Sequence, residues 1–146
     1  DKSRGGFINK LMIEAFNVKY FPRHTVYDWL SSDEKNVEGF MNDEKCAFMF
    51  TYSGYRDLFK LLKYVNLKNW YEEIPKNLPI LLLSGKDDPV GNYGKGPTAV
   101  FTHLIEHGHD NVSIKIYEGM RHEILNEKNK CIVYKKIGSW ISKNVN

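Results

Sequence analysis

The first half of the chain carries apolar residues at the spacing of amphipathic helices. FINKLMIEAFN places five apolar residues three or four positions apart, SSDEKNVEGFM places three, and SGYRDLFKLLKYV places four. Ser31 and Glu34 have the spacing of a capping box, and Ser53 is a candidate cap for the third helix. VKYFPRHTVYDWL holds a proline and β-branched residues and predicts an irregular connector, whereas the pattern leaves the structure of CAFMFT open. Residues 1–77 are therefore predicted to be mainly helical.

The pattern changes at residue 78. Ile80 to Leu83 form an unbroken apolar run that ends at a serine and a glycine, which is typical of a strand covered on both faces in a parallel sheet. A helix is predicted over 96–106, stopped by Gly108, and a last amphipathic helix over 131–141. The stretch VSIKIY alternates, which predicts a half-covered strand with Tyr117 on its polar side. Residues predicted to face inward on the two helices are Val100, Phe101, Leu104, Ile105, Val133, Ile137, Trp140 and Ile141.

Residues 78–146 thus predict the order strand, helix, strand, helix, which is one right-handed βαβ unit with a closing helix in an α/β fold. The first strand has the composition of a central strand, yet only one further strand is available to pair with it. One of its edges should therefore remain unpaired, which soluble proteins avoid. We expect pairing with a missing half of the fold, with a second copy of the chain, or through exchanged elements.

Composition and charge exclude several classes of function. Of the 146 residues, 42% are apolar and 14% aromatic, which excludes a disordered chain. The net charge of +3 is spread without a basic run longer than a pair, which argues against a nucleic-acid partner or a polybasic membrane anchor. No stretch approaches the roughly 18 apolar residues of a membrane span, and no secretory signal opens the chain. Cys46 and Cys131 lack a CxxC spacing, so a reduced, cytosolic protein is expected.

The candidate chemistry lies in SGKDDPVG and GMRHEIL. Asp88 follows the first predicted strand and His122 follows the second, so both should lie at the same edge of a parallel sheet. A histidine there could accept a nucleophile's proton while a carboxylate fixes its tautomer, as in a hydrolase triad. The order acid then histidine is that of α/β-hydrolases, in which the nucleophile precedes both. Asp87 is an alternative acid, and a plain turn with a solvated histidine is the alternative without chemistry.

LPILLLSGKDDPVGNYGKG, followed by IKIYEGMRHEILNE, closely resembles the C-terminal portion of serine α/β-hydrolases of the monoacylglycerol lipase and lysophospholipase family. In that family the aspartate before Pro-Val is the triad acid and the histidine of the Arg-His-Glu turn is the base, which implies Asp88 and His122. YDWLSSD, NDEKCAF and SGYRDLFK resemble the family's lid, which implies residues 1–77 as the lid and 78–146 as a core segment. The resemblance also implies ester or lysophospholipid substrates, with apolar lid side chains covering an acyl chain, and no cofactor.

The nucleophile of that family is not found in this sequence. None of the eight serines lies in the G-x-S-x-G frame of a nucleophile elbow. The chain also opens with DKSRGG, without a methionine or a capping signal. We therefore expect the C-terminal half of a longer serine hydrolase, which supplies the acid and the base and is inactive alone.

Two other interpretations remain open at this stage. HLIEH matches the H-x-x-E-H pattern of zinc hydrolases, with His103 and His107 as ligands and Glu106 as base. However, the two histidines are predicted on a solvated helix face, with His109 and Asp110 in the following turn. The second alternative is a non-catalytic binding or interaction module that keeps the hydrolase architecture.

Overall fold

The computed structural model describes residues 3–67 and 69–144. Within these ranges the elements, in chain order, are α1 (Gly6–Asn17), α2 (Glu34–Asn42), α3 (Tyr52–Val65), β1 (Ile80–Gly85), α4 (Lys95–Glu106), β2 (Val112–Tyr117), a short 3-10 helix (Ile124–Asn126) and α5 (Lys130–Asn144). The first two residues of the opening DKSRGG segment lie outside the description. The predicted α/β fold, with a helical first half and a strand–helix–strand–helix second half, is confirmed.

The two strands pair in parallel, with Ile80 opposite Val112 and Gly85 opposite Tyr117. The sheet of the described residues has the order β1-β2, and α4 connects the two strands. Both strands form for local reasons, since β1 is a continuous apolar run and β2 alternates β-branched residues. Because the strands are parallel, the loops that leave their carboxyl ends lie at one edge of the sheet.

The core of the second half lies between the sheet and α5. Tyr117, Met120 and Val133 are buried there, and three partly buried residues pack against them: Leu83, Ile124 and Ile137. Tyr117 was predicted on the polar side of its strand, and this prediction is wrong. Its side chain is only 5% exposed, because α5 and the loop after β2 cover that face.

Two predicted helix caps are also wrong. The Asp33 side chain caps α2 and accepts a hydrogen bond from the backbone N–H of Lys35 at 3.1 Å. Ser31 instead accepts from the N–H of Asp33 with its hydroxyl oxygen at 3.0 Å. Helix α3 begins after Thr51, whose side chain accepts from the N–H of Gly54 at 3.1 Å, and Ser53 lies within that helix.

The apolar stripes of the first half are less buried than periodicity indicates. On α1, Phe7 is 69% exposed and Leu11 is 56% exposed. On α3, Leu61, Leu62 and Val65 are each about half exposed. Periodicity therefore located the apolar faces of these helices but not what covers them.

The inward faces of α4 and α5 are narrower than predicted. Leu104 of α4 and Val133 of α5 are buried as expected. Val100 and Ile105 of α4 and Ile141 of α5 are exposed, contrary to prediction. None of the helices in the described ranges is long and apolar enough to cross a membrane.

Candidate active site

The turn after β1 holds the carboxylate of Asp88. This residue lies three positions beyond the end of the strand and is 7% exposed. Its Oδ1 atom accepts a hydrogen bond from the N–H of Val90 at 2.8 Å. Its backbone carbonyl accepts from the N–H of Tyr93 at 2.7 Å. Hydrogen bonds within its own turn thus hold the Asp88 carboxylate in place, independently of its contact with the other loop.

The loop after β2 carries His122 and is joined to the β1 turn through the backbone. The N–H of Lys86 donates to the carbonyl of Tyr117 at 2.8 Å, and the N–H of Asp87 donates to that of Met120 at 2.9 Å. Gly85, at the end of β1, lies directly against the peptide that follows Met120, with no space for a side chain. The two loops therefore form one packed unit at the edge of the sheet.

His122 and Asp88 meet within this unit. The imidazole Nδ1 atom lies 3.2 Å from both carboxylate oxygens of Asp88. The Asp88 side chain is 11% exposed and the His122 side chain is 38% exposed. Among the described residues, the other ring nitrogen, Nε2, has no hydrogen-bond partner. The Asp88 carboxylate thus anchors the His122 ring through Nδ1, and Nε2 is available to contact another group.

The alternative acid, Asp87, has a different role in this geometry. It contacts its surroundings through its backbone, since its N–H donates to Met120 and its carbonyl accepts from the hydroxyl of Tyr20. No hydrogen bond joins its carboxylate to His122 within the described part of the chain. The structure therefore brings Asp88, and not Asp87, to the imidazole.

The pair shifts the pKa of both members. The hydrogen bond to Asp88 raises the pKa of the His122 imidazole above its ordinary value; burial opposes this, and the negative charges of Asp88 and Glu123 add to it. For Asp88, burial is the largest influence and acts to raise the pKa of the carboxyl. The hydrogen bond and charge of His122, with the N–H groups of Val90 and Gly91, outweigh burial and leave that pKa lowered. Both shifts favour the ion pair of carboxylate and imidazolium.

The first half of the chain packs directly on both loops. The Trp29 ring lies 5.2 Å from the His122 ring between centroids, and the hydroxyl of Tyr20 donates to the backbone carbonyl of Asp87. Burial raises the pKa of that hydroxyl. The Arg121 guanidinium lies 4.2 Å from the centroid of the Tyr20 ring and donates to the carbonyl of Ser31 at 3.1 Å. Sequence analysis missed these contacts, because no local pattern indicates them.

A cavity of about 800 Å³ lies between the segment 19–25 and α2, with Arg121 and Lys128 on its wall. Its lining includes apolar residues such as Phe21, Val37 and Met41. Neither Asp88 nor His122 lines it. This cavity is therefore separate from the acid–base pair.

The two histidines of the HLIEH motif, His103 and His107, are not on a solvated helix face, contrary to prediction. The His103 ring stacks on Trp70 with centroids 5.8 Å apart, and the His107 ring lies 4.1 Å from that of Tyr71. His109 is fully buried, and Lys76 Nζ lies 3.2 Å from its Nε2 atom. Across residues 3–67 and 69–144, no group of three or more histidine, cysteine, aspartate or glutamate side chains is placed to hold a metal ion. The motif is thus part of an aromatic cluster and lacks a third ligand there.

Comparison with known proteins gives an independent result. Residues 4–129 match the model of the family described as serine aminopeptidase, S33. The chain is similar to a highly thermostable carboxyl esterase from Bacillus coagulans, solved in complex with glycerol, with 30% identity over 99% of the chain and a TM-score of 0.86. It is also similar to a lipase in an open form, with 25% identity over 100% of the chain and a TM-score of 0.81. It spans 47% of each of those chains, about half their length. No match was found among curated proteins.

Proposed function

Because the chain belongs to the serine aminopeptidase S33 family of α/β-hydrolases, we propose that it forms part of a serine hydrolase of carboxylic esters. Asp88 is the acid and His122 the base of a triad whose nucleophile is a serine on another segment. The observation that carries this proposal is the contact of His122 Nδ1 with both oxygens of the Asp88 carboxylate at 3.2 Å.

The geometry suits each step of triad catalysis. With Nδ1–H donating to Asp88, the lone pair of the neutral imidazole is on Nε2, which can accept the proton of a serine hydroxyl as it attacks an ester carbonyl. The resulting imidazolium is stabilised by the buried carboxylate. It then returns the proton from Nε2 to the leaving alcohol, and a water molecule repeats the cycle on the acyl-enzyme. The raised pKa of His122 accords with this stabilised imidazolium.

The missing nucleophile is assigned to a second segment, joined to this chain or separate from it. The sequence has no G-x-S-x-G motif, and the similar esterase and lipase are about twice as long as this chain. The two-stranded sheet of the described residues also leaves an outer edge of β1 without a paired strand. We propose that the second segment pairs with this edge and brings the serine and the oxyanion-hole amides. Self-association through the same edge is the competing outcome.

The remaining features define the proposed parent enzyme more closely. Residues 1–77 act as a lid and residues 78–146 as a core segment. Exposed apolar lid residues such as Phe48 and Phe50 cover the acyl chain of a monoacylglycerol or lysophospholipid substrate. Cys46 and Cys131 are free thiols, which accords with a reduced, cytosolic compartment. No cofactor is required, because the triad uses only protein groups and water.

A chimera tests the proposal. In it, this chain replaces the matching 47% of the Bacillus coagulans carboxyl esterase. We expect hydrolysis of p-nitrophenyl butyrate by the chimera and none above background by the 146-residue chain alone. Asp88→Asn should lower kcat by about 10⁴-fold, as loss of the triad acid does. Asp87→Asn is the matched control and should keep most of the activity.

Two results would contradict this assignment. One is equal activity of the Asp88→Asn and Asp87→Asn chimeras. The other is ester hydrolysis by the chain alone that is lost with His122→Ala.

The absence of a G-x-S-x-G motif also favours a second candidate, a non-catalytic binding module. A chimera that folds, as judged by circular dichroism, but shows no turnover with Asp88 and His122 intact would support that candidate.

A further inference from the structure

Glu127 is a buried carboxylate outside the acid–base pair. It follows the short 3-10 helix and is 1% exposed. Its Oε1 atom accepts hydrogen bonds from the N–H of Arg121 at 2.8 Å and the N–H of Ser32 at 3.0 Å. Its Oε2 atom accepts from the hydroxyl of Ser32. Burial of a charge is costly unless hydrogen bonds replace its hydration, so these three donors account for its presence in the interior.

These hydrogen bonds join two parts of the chain that are distant in sequence. Arg121 immediately precedes His122 in the loop after β2, whereas Ser32 belongs to the connector before α2. On the other side of His122, the N–H of Glu123 donates to the carbonyl of Leu30 at 2.8 Å. The backbone is thus fixed immediately before and immediately after the imidazole.

We propose that Glu127 is a positioning residue, which fixes the peptide N–H of Arg121 and thereby orients the His122 ring towards the Asp88 carboxylate. The inference rests on the proposed function, since it assigns Glu127 a role in the same acid–base pair. It extends that function by coupling the pair to the first half of the chain. A shift of Ser32 would be passed through Glu127 to the backbone of Arg121 and so to the imidazole.

A purely electrostatic effect of Glu127 must be distinguished from positioning. The negative charges of Asp88 and Glu123 already act to raise the pKa of the His122 imidazole, and a further carboxylate nearby would raise that pKa by its charge alone. Such an effect is independent of Asp88. Positioning, in contrast, changes how strongly Asp88 itself acts on the imidazole.

The test is a double-mutant cycle in which the pKa of His122 is measured by NMR titration of the imidazole ring in the 146-residue chain. Asp88→Asn should lower this pKa in the parent chain. We expect most of that effect to be lost in Glu127→Gln and also in Glu127→Asp, which keeps the charge but shortens the side chain. Glu123→Gln is the matched control: it removes a charge beside His122 without touching Arg121, so it should lower the pKa and keep the full effect of Asp88→Asn.

Each outcome has one meaning. If the effect of Asp88→Asn is as large in both Glu127 variants as in the parent chain, Glu127 does not position the ring and the inference is wrong. If Asp88→Asn has no effect even in the parent chain, the acid–base pair itself is wrong, which contradicts the proposed function instead. Should the Glu127 variants fail to fold, Ser32→Ala removes one of the three hydrogen bonds. A partial loss of the Asp88 effect in that variant supports the inference, and no loss overturns it.

Discussion

Gly85 is tightly packed within the candidate site, and a single methyl group there should separate the Asp88 carboxylate from the His122 imidazole. An ideal Cβ on this residue would lie 2.6 Å from the carbonyl carbon of Met120, against 3.4 Å or more in an ordinary contact, and closer still to the carbonyl oxygens of Met120 and Arg121. These neighbours are backbone atoms, which cannot rotate away as a side chain can. In Gly85→Ala the loop that carries His122 must therefore retreat by at least 0.8 Å, the difference between the two distances.

This displacement has two measurable consequences. Overpacking of a well-packed interior costs about 1–3 kcal/mol of the free energy of unfolding. The contact of His122 Nδ1 with Asp88, now 3.2 Å, would lengthen beyond hydrogen-bond reach, so the pKa of the imidazole should fall towards its ordinary value. In an assembled enzyme, a misplacement of about 1 Å lowers the rate on the order of 10²-fold.

Urea unfolding and NMR titration of His122 measure both effects in the chain itself. Gly138→Ala in α5 is the matched control, because nothing lies within 4 Å of a Cβ at that position. Replacing a helical glycine by alanine in open space should raise stability by about 1 kcal/mol, the opposite sign. If the Gly85→Ala chain has the same stability and the same His122 pKa as the parent, a Cβ at position 85 does not displace the loop that carries His122, and the prediction is wrong.

Two further predictions concern stability. The folded-state pKa is raised for His122 and lowered for Asp88, so the stabilisation from the pair should be complete between about pH 4 and pH 6.5, the ordinary values of the two groups. This stabilisation should decline as the pH rises through the folded-state pKa of the imidazole, and also as the pH falls through the folded-state pKa of the carboxyl. Asp88→Asn should therefore flatten both limbs of a plot of Tm against pH. Limbs unchanged by this substitution would contradict the pairing of Asp88 with His122. Thr51→Ala should lower the free energy of unfolding by about 1 kcal/mol, because it removes the cap of α3. Thr51→Ser keeps the hydroxyl and should retain most of this stabilisation. Equal losses for the two variants in urea unfolding would show that the cap hydroxyl contributes nothing.

The second half of the chain was predictable because its signals are local. A continuous apolar run that ends in Ser84 and Gly85 indicates a covered strand, and the alternation in VSIKIY indicates the next. Parallel pairing across one helix then requires that the two following loops share an edge. The approach of His122 to Asp88 follows from this topology, whereas the choice of Asp88 over Asp87 rested on resemblance and became visible only in the side-chain geometry.

The predicted cap at Ser31 was wrong because a tertiary contact engages the same side chain. Ser31 has the spacing of a capping box, but it is buried at 2% exposure and its hydroxyl donates to the carbonyl of Asn126 at 3.4 Å. Asp33, two residues later, is free to cap α2 instead. The role of Glu127 was missed because its hydrogen-bond donor Ser32 is 95 residues away in sequence. Local patterns carry no information about such partners.

The exposed apolar stripe of α3 differs from these failures, because here the pattern and the structure disagree about burial. Leu61 is 57% exposed, Leu62 48% and Val65 49%, although their spacing is that of a helix with one buried face. Scattered exposed apolar residues are ordinary, but a contiguous apolar face indicates a surface that contacts a partner. The same chain leaves an outer edge of β1 without a paired strand among the described residues. Both features are accounted for if the sequence is adapted to an assembly that includes the proposed second segment, in which the stripe and the edge are covered together.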